Sequence, residues 1–379
     1  MKIRLPTADG NPEIYHLVGE PIAVRKPKAP FSRVAFAAAH VVADPLSSDG
    51  ALDWDKTLAF RHYLLDQGFG IAEAMDTSQR GMGLDWPMAH ELIARSLKSA
   101  GAKASWIYSG CGTDQLLPDN AHSPDDVVNA YLEQLHAVQK LGGRVIMMAS
   151  RALVRVAKSP DDYVKVYSRV LNEADHPVIL HWLGEMFDPA LKGYWGSDDF
   201  SLAMNTCLAV INGNAAKIDG IKISLLDAGK EIVFRRQLTP RVKMYTGDDF
   251  NYPELIAGDE KGFSHALLGI FAAIAPAAAA ALTALAKGNT KKFHKFLDPT
   301  VPLSRLIFQA PTQYYKTGIV FLAWLNGHQE HFIMVNGAQS ARPLFYFTEA
   351  FKLADQAGLL RNPDLAEKRM KTLLSIYGQ

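Results

Sequence analysis

The stretch "AAKIDGIKISLLDAG", residues 215–229, places a lysine, Lys222, among Ile218, Ile221, Ile223, Leu225 and Leu226, all residues that favour burial. Stripping water from an ammonium group is costly, and burial drives the group towards the neutral amine. A neutral amine is a nucleophile. It adds to a carbonyl carbon, and once water has left, the protonated Schiff base draws electrons from a neighbouring C–C or C–H bond. The structural alternative is a buried ion pair between Lys222 and a nearby carboxylate. His181, in "PVILHW", is the second candidate, because an imidazole gives and takes protons near neutrality.

Further polar residues follow short apolar runs: His40, then Glu73 and Asp76, Ser109 and Thr113, Ser150 and Arg151, and the pair Asp248–Asp249. Each has an ordinary reading as a helix cap or a satisfied core group. The insertion "EAMDTSQRGMGLDW" adds Thr77, Gln79 and Arg80 to Glu73 and Asp76. With His40, Ser109, Arg151 and Asp248 as substrate contacts, such a rim suits a hydroxyl-rich molecule, since carboxylates, hydroxyls and amides exchange hydrogen bonds with sugar hydroxyls. Arg80 and Arg151 have the fork geometry to hold an anionic group instead.

These residues need a scaffold, and the hydrophobic pattern supplies one. Eight β-rich runs cover residues 33–42, 69–75, 104–110, 144–150, 177–182, 219–225, 241–247 and 263–270. Amphipathic stretches such as "DWDKTLAFRHYLLDQ" and "MAHELIARSLKSA" separate them. Two of the intervening segments open with Ser-Pro-Asp-Asp, so that Ser123 and Ser159 can cap while proline takes the first helical position. Alternation of strand and helix, with strands too apolar to keep a wet face, predicts a parallel sheet covered by helices. A count of eight favours closure into an α/β (β/α)8 TIM barrel, whose chemistry sits at the C-terminal ends of the strands. The expected division is an N-terminal leader over 1–30, the barrel over 31–285 and a C-terminal helical extension over 286–379.

Composition narrows the function classes. A chain of 379 residues with 48% hydrophobic content buries a large core. Lys plus Arg (40) nearly cancel Asp plus Glu (39), and no basic stripe with interleaved aromatics suggests a nucleic-acid partner. The start of the chain lacks the apolar core of a secretory signal, and Cys111 and Cys207 form no disulfide framework, so a cytoplasmic protein is expected. The apolar stretch "FSHALLGIFAAIAPAAAAALTALA" carries Ser264, His265 and Pro276 and is read as strand, turn and buried helix, with no membrane partner.

Taken together, "PVILHW", "DGIKIS" and "TGDDFNYPELIAGDEKGFSHALLGIFAAIAP" resemble the fifth, sixth, and seventh and eighth strands of the dihydrodipicolinate synthase and N-acetylneuraminate lyase superfamily of Schiff-base aldolases. "GFGIAEAMD", "WIYSGCGTDQ" and "YYKTGIVFLAWLNG" fit its second strand, third strand and C-terminal helices, so the resemblance runs from about residue 33 to residue 360. It implies a barrel with a C-terminal helical domain, a homo-oligomer (dimer or tetramer), no metal or organic cofactor, a small-molecule carbonyl substrate, and Lys222 as the Schiff-base residue. The family's proton-shuttling tyrosine falls on His181. Its two carboxylate-binding threonines fall on Gly70 and Ile71, which have no hydroxyl; this turns the expected substrate towards a keto sugar or sugar acid. The expected activity is a class I lyase, either aldolase or dehydratase. Two alternatives stand beside it: a divalent-metal sugar isomerase or epimerase using His40, Glu73, His181 and Asp248, and a non-catalytic sugar-binding regulator.

Overall fold

The computed structural model describes every residue except 8, 10 and 48–50. Strands β1 (Lys2–Pro6) and β2 (Pro12–His16) pair antiparallel as a hairpin in the leader. Eight parallel strands then close a barrel in sequence order: β3 (Ala35–Ala38), β4 (Gly70–Glu73), β5 (Ile107–Cys111), β6 (Arg144–Met147), β7 (Val178–Leu183), β8 (Ile218–Ser224), β9 (Lys243–Thr246) and β10 (His265–Leu268), with β10 pairing back onto β3. Each lies within one of the eight apolar runs or overlaps it by all but a residue. The strands read as continuous apolar runs because both faces are buried, one inside the barrel and one under the helices.

The two faces bury different sets of side chains. Phe36, Ala38, Ala72, Met75, Tyr108, Ile146, Ile179, Tyr245 and Leu267 form a cluster in the interior, while the alternate residues join the outer core against the helices. Small residues make room for large ones. A Cβ on Gly70 would come within 2.5 Å of the Phe36 ring, and one on Gly220 within 2.5 Å of the Tyr245 ring. The aromatic side chains therefore fill the lower barrel only because those two positions are glycine.

The helix starts follow the capping expectation. Ser123 Oγ accepts from the Asp126 amide at 3.3 Å at the head of Pro124–Lys140, and Asp162 Oδ2 accepts from the Ser159 amide at 3.0 Å at the head of Pro160–Asn172. After β10, the Ala-rich helix Phe271–Leu285 is almost wholly buried, and among the described residues no helix is long and apolar enough to cross a membrane. The C-terminal region contributes Tyr315–Leu325, buried along its whole length, and Leu344–Gln356. Asp355 in the latter accepts from the Tyr15 hydroxyl at 2.8 Å and from the Val18 amide at 2.7 Å, which ties the leader to the C-terminal helices.

Candidate active site

Strand parity decides which side chains reach the barrel mouth. Ile221 and Ile223 pack outward, so Lys222 and Ser224 of β8 point inward. His181 of β7 is the direct register partner of Lys222 and also points inward. The chain leaving β4 turns sharply because Ala74 adopts a left-handed conformation (φ 51°), and this brings Met75, Asp76 and Thr77 over the barrel. From the C-terminal region, Tyr315 reaches into the same space.

The cavity at this mouth is bounded by Lys222, Asp76, Thr77, Ser224, Asp249 and Tyr315, and on its apolar sides by Ala38, Met75, Leu183, Phe187, Gly269 and Phe308. It is narrow, at about 10 Å³, room for about one water. Lys222 is 8% exposed, and among the described residues no carboxylate oxygen lies within 4.0 Å of its amine and no hydrogen bond holds it. The structural reading of Lys222 as half of a buried ion pair is thus absent. Burial pushes its pKa below the ordinary lysine value, with the more distant charges of Asp76 and Asp249 opposing the shift. Gly247 leaves the lysine stem its path: a Cβ there would sit 2.7 Å from Lys222 Cε and 2.3 Å from Ser224 Oγ.

Two proton-handling groups flank the amine. Asp249 is fully buried, and burial pushes its pKa up to about 7 against the opposing Ile270 amide, which it accepts at 2.9 Å, and the charge of Lys222. His181 reaches the cavity through Ser224, whose hydroxyl lies 3.2 Å from its Nε2. Burial, and then the charge of Lys222, holds the imidazole well below its usual pKa, so it is neutral at pH 7. Thr77 Oγ1 and the Tyr315 hydroxyl lie 2.8 Å apart, with the Tyr315 ring stacked on Phe308 at 4.5 Å.

Several expected substrate contacts are engaged elsewhere. Glu73 is turned outward and gripped by Arg61 through two bonds of 2.8 and 2.9 Å. Arg80 is locked to both oxygens of Asp114 and to the Gly110 carbonyl, pinning the β4 and β5 loops together. Ser109 shares the outward face of β5 with Ile107 and Cys111. Arg151 is exposed and pairs with Asp188 at 2.6 Å. Asp248 accepts from the Phe250 and Asn251 amides and from the Asn251 side chain, so it shapes the loop while its neighbour Asp249 faces the amine. His40, its pKa lowered to about 3 by burial, bonds Gln329 at 3.1 Å. The four ligands of the metal-isomerase alternative, His40, Glu73, His181 and Asp248, are therefore not gathered, and among the described residues no three His, Cys, Asp or Glu side chains form a metal-ligand group.

The placement of the hydroxyl pair also changes. Gly70 and Ile71 lie at the start of β4, low in the barrel wall. The polar residues of that segment that meet the cavity are Asp76 and Thr77, so a hydroxyl is present after all. Sequence reading had Asp249 only as one of a pair and did not place Thr77, Ser224 or Tyr315 beside the lysine. For Ser224 the signal was available: it follows Lys222 by two residues on the same strand.

Among curated proteins no match is found. Solved structures share the architecture. Dihydrodipicolinate synthase from Aquifex aeolicus superposes with a TM-score of 0.66 at 12% identity, covering 87% of this chain and 100% of that one. The enzyme of the same name from Thermotoga maritima gives 0.66 at 14% identity, covering 86% and 100%. YagE, a prophage protein of the dihydrodipicolinic acid synthase family from E. coli K12 solved in complex with pyruvate, gives 0.67 at 15% identity, covering 86% and 99%. At such identities the likeness is one of fold. The family model described as "Protein of unknown function (DUF993)" matches residues 3–379, and the chain belongs to that family, built on the barrel and C-terminal helices seen in dihydrodipicolinate synthases.

Proposed function

We propose that the protein is a class I lyase in which Lys222 forms a Schiff base with a small, neutral, hydroxyl-bearing carbonyl compound of the keto-sugar type. The observation that carries this reading is the Lys222 amine: buried, opening on a cavity, and without an ion-pair partner among the described residues. The substrate class rests on the lining. Two carboxylates, Asp76 and Asp249, and the hydroxyls of Thr77, Ser224 and Tyr315 face the cavity, and no guanidinium does. Such a set accepts and donates to hydroxyls and offers no guanidinium fork for an anionic group.

In the proposed sequence the neutral amine attacks the carbonyl carbon, and the carbonyl oxygen takes a proton. Asp249, protonated on part of the molecules at neutral pH, supplies the proton on which the carbinolamine hydroxyl leaves as water. The iminium then accepts the electron pair of an adjacent C–H or C–C bond. The neutral His181, acting through Ser224, takes up the proton released and returns it to the enamine carbon; water then hydrolyses the restored imine, freeing the product and Lys222 and giving Asp249 back its proton. Entry of a substrate into so narrow a cavity requires the Phe187, Phe308 and Tyr315 rings to part.

Intact-mass measurement after borohydride reduction, with a panel of ketoses, 2-keto-3-deoxy sugar acids and pyruvate, tests the reading. An adduct with a ketose mapped to Lys222 supports it. An adduct with pyruvate alone would keep the Schiff base and overturn the substrate class, and no adduct with any member would favour the non-catalytic binder.

Two substitutions probe the site's construction. In Gly247→Ala the new methyl displaces the lysine stem, and the trapping rate is expected to fall by about 10–100-fold, since a shift of about 1 Å at a reacting group has effects of that size. In Asp249→Asn the acid is lost while an acceptor for the Ile270 amide remains. The trapping rate at pH 6 should drop by about 100-fold, the scale of general acid catalysis. The falling limb expected of wild type as Asp249 loses its proton near pH 7 should disappear from the pH–rate profile.

A further inference from the structure

The other end of the barrel holds a larger cavity, about 300 Å³, bounded by Arg144, Lys243, Asp219, Tyr108, Tyr245 and Trp106 together with Val34, Phe36 and Ser105. Arg144 and Lys243 are the first residues of β6 and β9, so this cavity opens at the N-terminal mouth, opposite Lys222. A layer of rings separates the two. Phe36 meets Tyr108 edge-on at 4.9 Å and Tyr245 at 5.9 Å, and these rings fit only beside Gly70 and Gly220. The lower cavity is therefore not an extension of the candidate active site.

Its charges are incompletely matched. The Asp219 carboxylate is taken by Lys243 Nζ at 2.5 Å and the Tyr245 hydroxyl at 2.6 Å. Arg144 bonds only the Tyr108 hydroxyl, at 3.0 Å, and among the described residues no carboxylate pairs with it. Arg33 does not line the cavity; it is engaged with the Ile256 and Ala257 carbonyls and covers Phe263. Two cations against one carboxylate leave a single positive charge and a guanidinium fork with open N–H groups. At the rim, Trp106 leaves an indole 48% exposed beside the cavity.

We propose that the N-terminal mouth of the barrel is a second ligand site, which binds a small aromatic monocarboxylate. The planar fork of Arg144 matches a carboxylate through two parallel hydrogen bonds, and Lys243 keeps further N–H donors to share in holding the anion. One unit of negative charge balances the site; a phosphate dianion would overshoot it. The ring of the ligand lies against Trp106 and Tyr108, where a flat apolar body gains from stacking. A volume of about 300 Å³ is at the lower end of the range for small-molecule pockets, suited to one ring and its carboxylate.

Titration of the full chain with benzoate, benzyl alcohol and inorganic phosphate, followed by calorimetry and tryptophan fluorescence, tests the site. Saturable benzoate binding is expected, with benzyl alcohol and phosphate weaker by about tenfold or more, and Arg144→Met should weaken benzoate by about tenfold or more. Trp106→Ala, at an exposed position, should weaken binding and abolish the fluorescence response. Should Arg144→Met fail to fold, Arg144→Lys retains the charge without the fork and should still lose affinity. Lys222→Met should leave benzoate binding unchanged. Binding that survives both Arg144 variants, binding lost in Lys222→Met, equal binding of the alcohol or of phosphate, or no saturation at millimolar benzoate would each overturn the proposal.

Discussion

Lys222→Met is expected to lose borohydride trapping entirely while becoming more stable than wild type. Methionine has nearly the length and volume of the lysine stem, so the packing around Gly247 and Ser224 is kept. What disappears is the amine, the only one among the described residues that line the cavity. The stability gain follows from the depressed pKa. Between the folded pKa and the ordinary value of 10.5, the unfolded chain binds a proton that the folded chain releases, so wild-type stability rises with pH across that window. Below it the folded state must keep an unpaired ammonium in a buried place. The variant escapes this penalty, and a gain of about 0.5–2 kcal/mol at pH 7 is in keeping with removal of a functionally strained group. Its advantage should shrink as pH is raised towards 10.5. Thermal denaturation of both proteins from pH 6 to 10, alongside trapping, checks the pair of effects. A lysine serving only structure would behave in the opposite way, with its removal lowering stability.

The barrel was legible in the sequence because its strands are buried on two sides and therefore stand out as eight short apolar runs between amphipathic helices. The same physics made Lys222 conspicuous. The rest of the site was harder to read because a strand end offers two adjacent polar residues of opposite fate. Glu73 and Asp76 both follow β4, yet one faces Arg61 and the other the cavity, and the left-handed turn at Ala74 that separates them is not encoded by a glycine. Asp248 and Asp249 differ only by one step along the chain, and the hydrogen bonds to Asn251 and Ile270 decide which one turns inward. Ser109 was misleading for a simpler reason: strand alternation sends it to the face shared with Ile107 and Cys111. Tyr315 lies 238 positions from Thr77, its hydroxyl partner, and no local pattern reports a contact of that range.

Arg61→Met should destabilise the protein severely and so separate the structural role of Glu73 from a substrate contact. Both side chains are essentially buried, Arg61 at 2% and Glu73 at 0% exposure, and the guanidinium holds both carboxylate oxygens. Its remaining donors reach the His40 and Thr57 carbonyls, so one side chain joins the exit of β3, the helix Trp54–Asp66 and the end of β4. Burial acts to raise the Glu73 pKa, but the charge and hydrogen bonds of Arg61 outweigh it and hold the carboxyl below its usual value. In wild type this linkage stabilises the fold above the unfolded pKa of 4.5 and is lost as pH falls through the lower folded value. Without Arg61 the sign reverses: Glu73 is left as an unpaired buried carboxylate whose pKa burial now raises. A loss of about 3–5 kcal/mol at pH 7 is expected, a large part of the roughly 5–15 kcal/mol that holds a domain folded. The deficit should narrow on acidification, as Glu73 takes up a proton. Pairing the change with Glu73→Leu removes the stranded charge and should recover most of the lost stability, as replacement of a buried ion pair by apolar groups often does. Urea denaturation of the single and double variants at pH 5 and 8 measures this. If Glu73 instead contacted substrate, Glu73→Gln would weaken substrate binding and leave the denaturation midpoint in place; the geometry predicts that the midpoint falls.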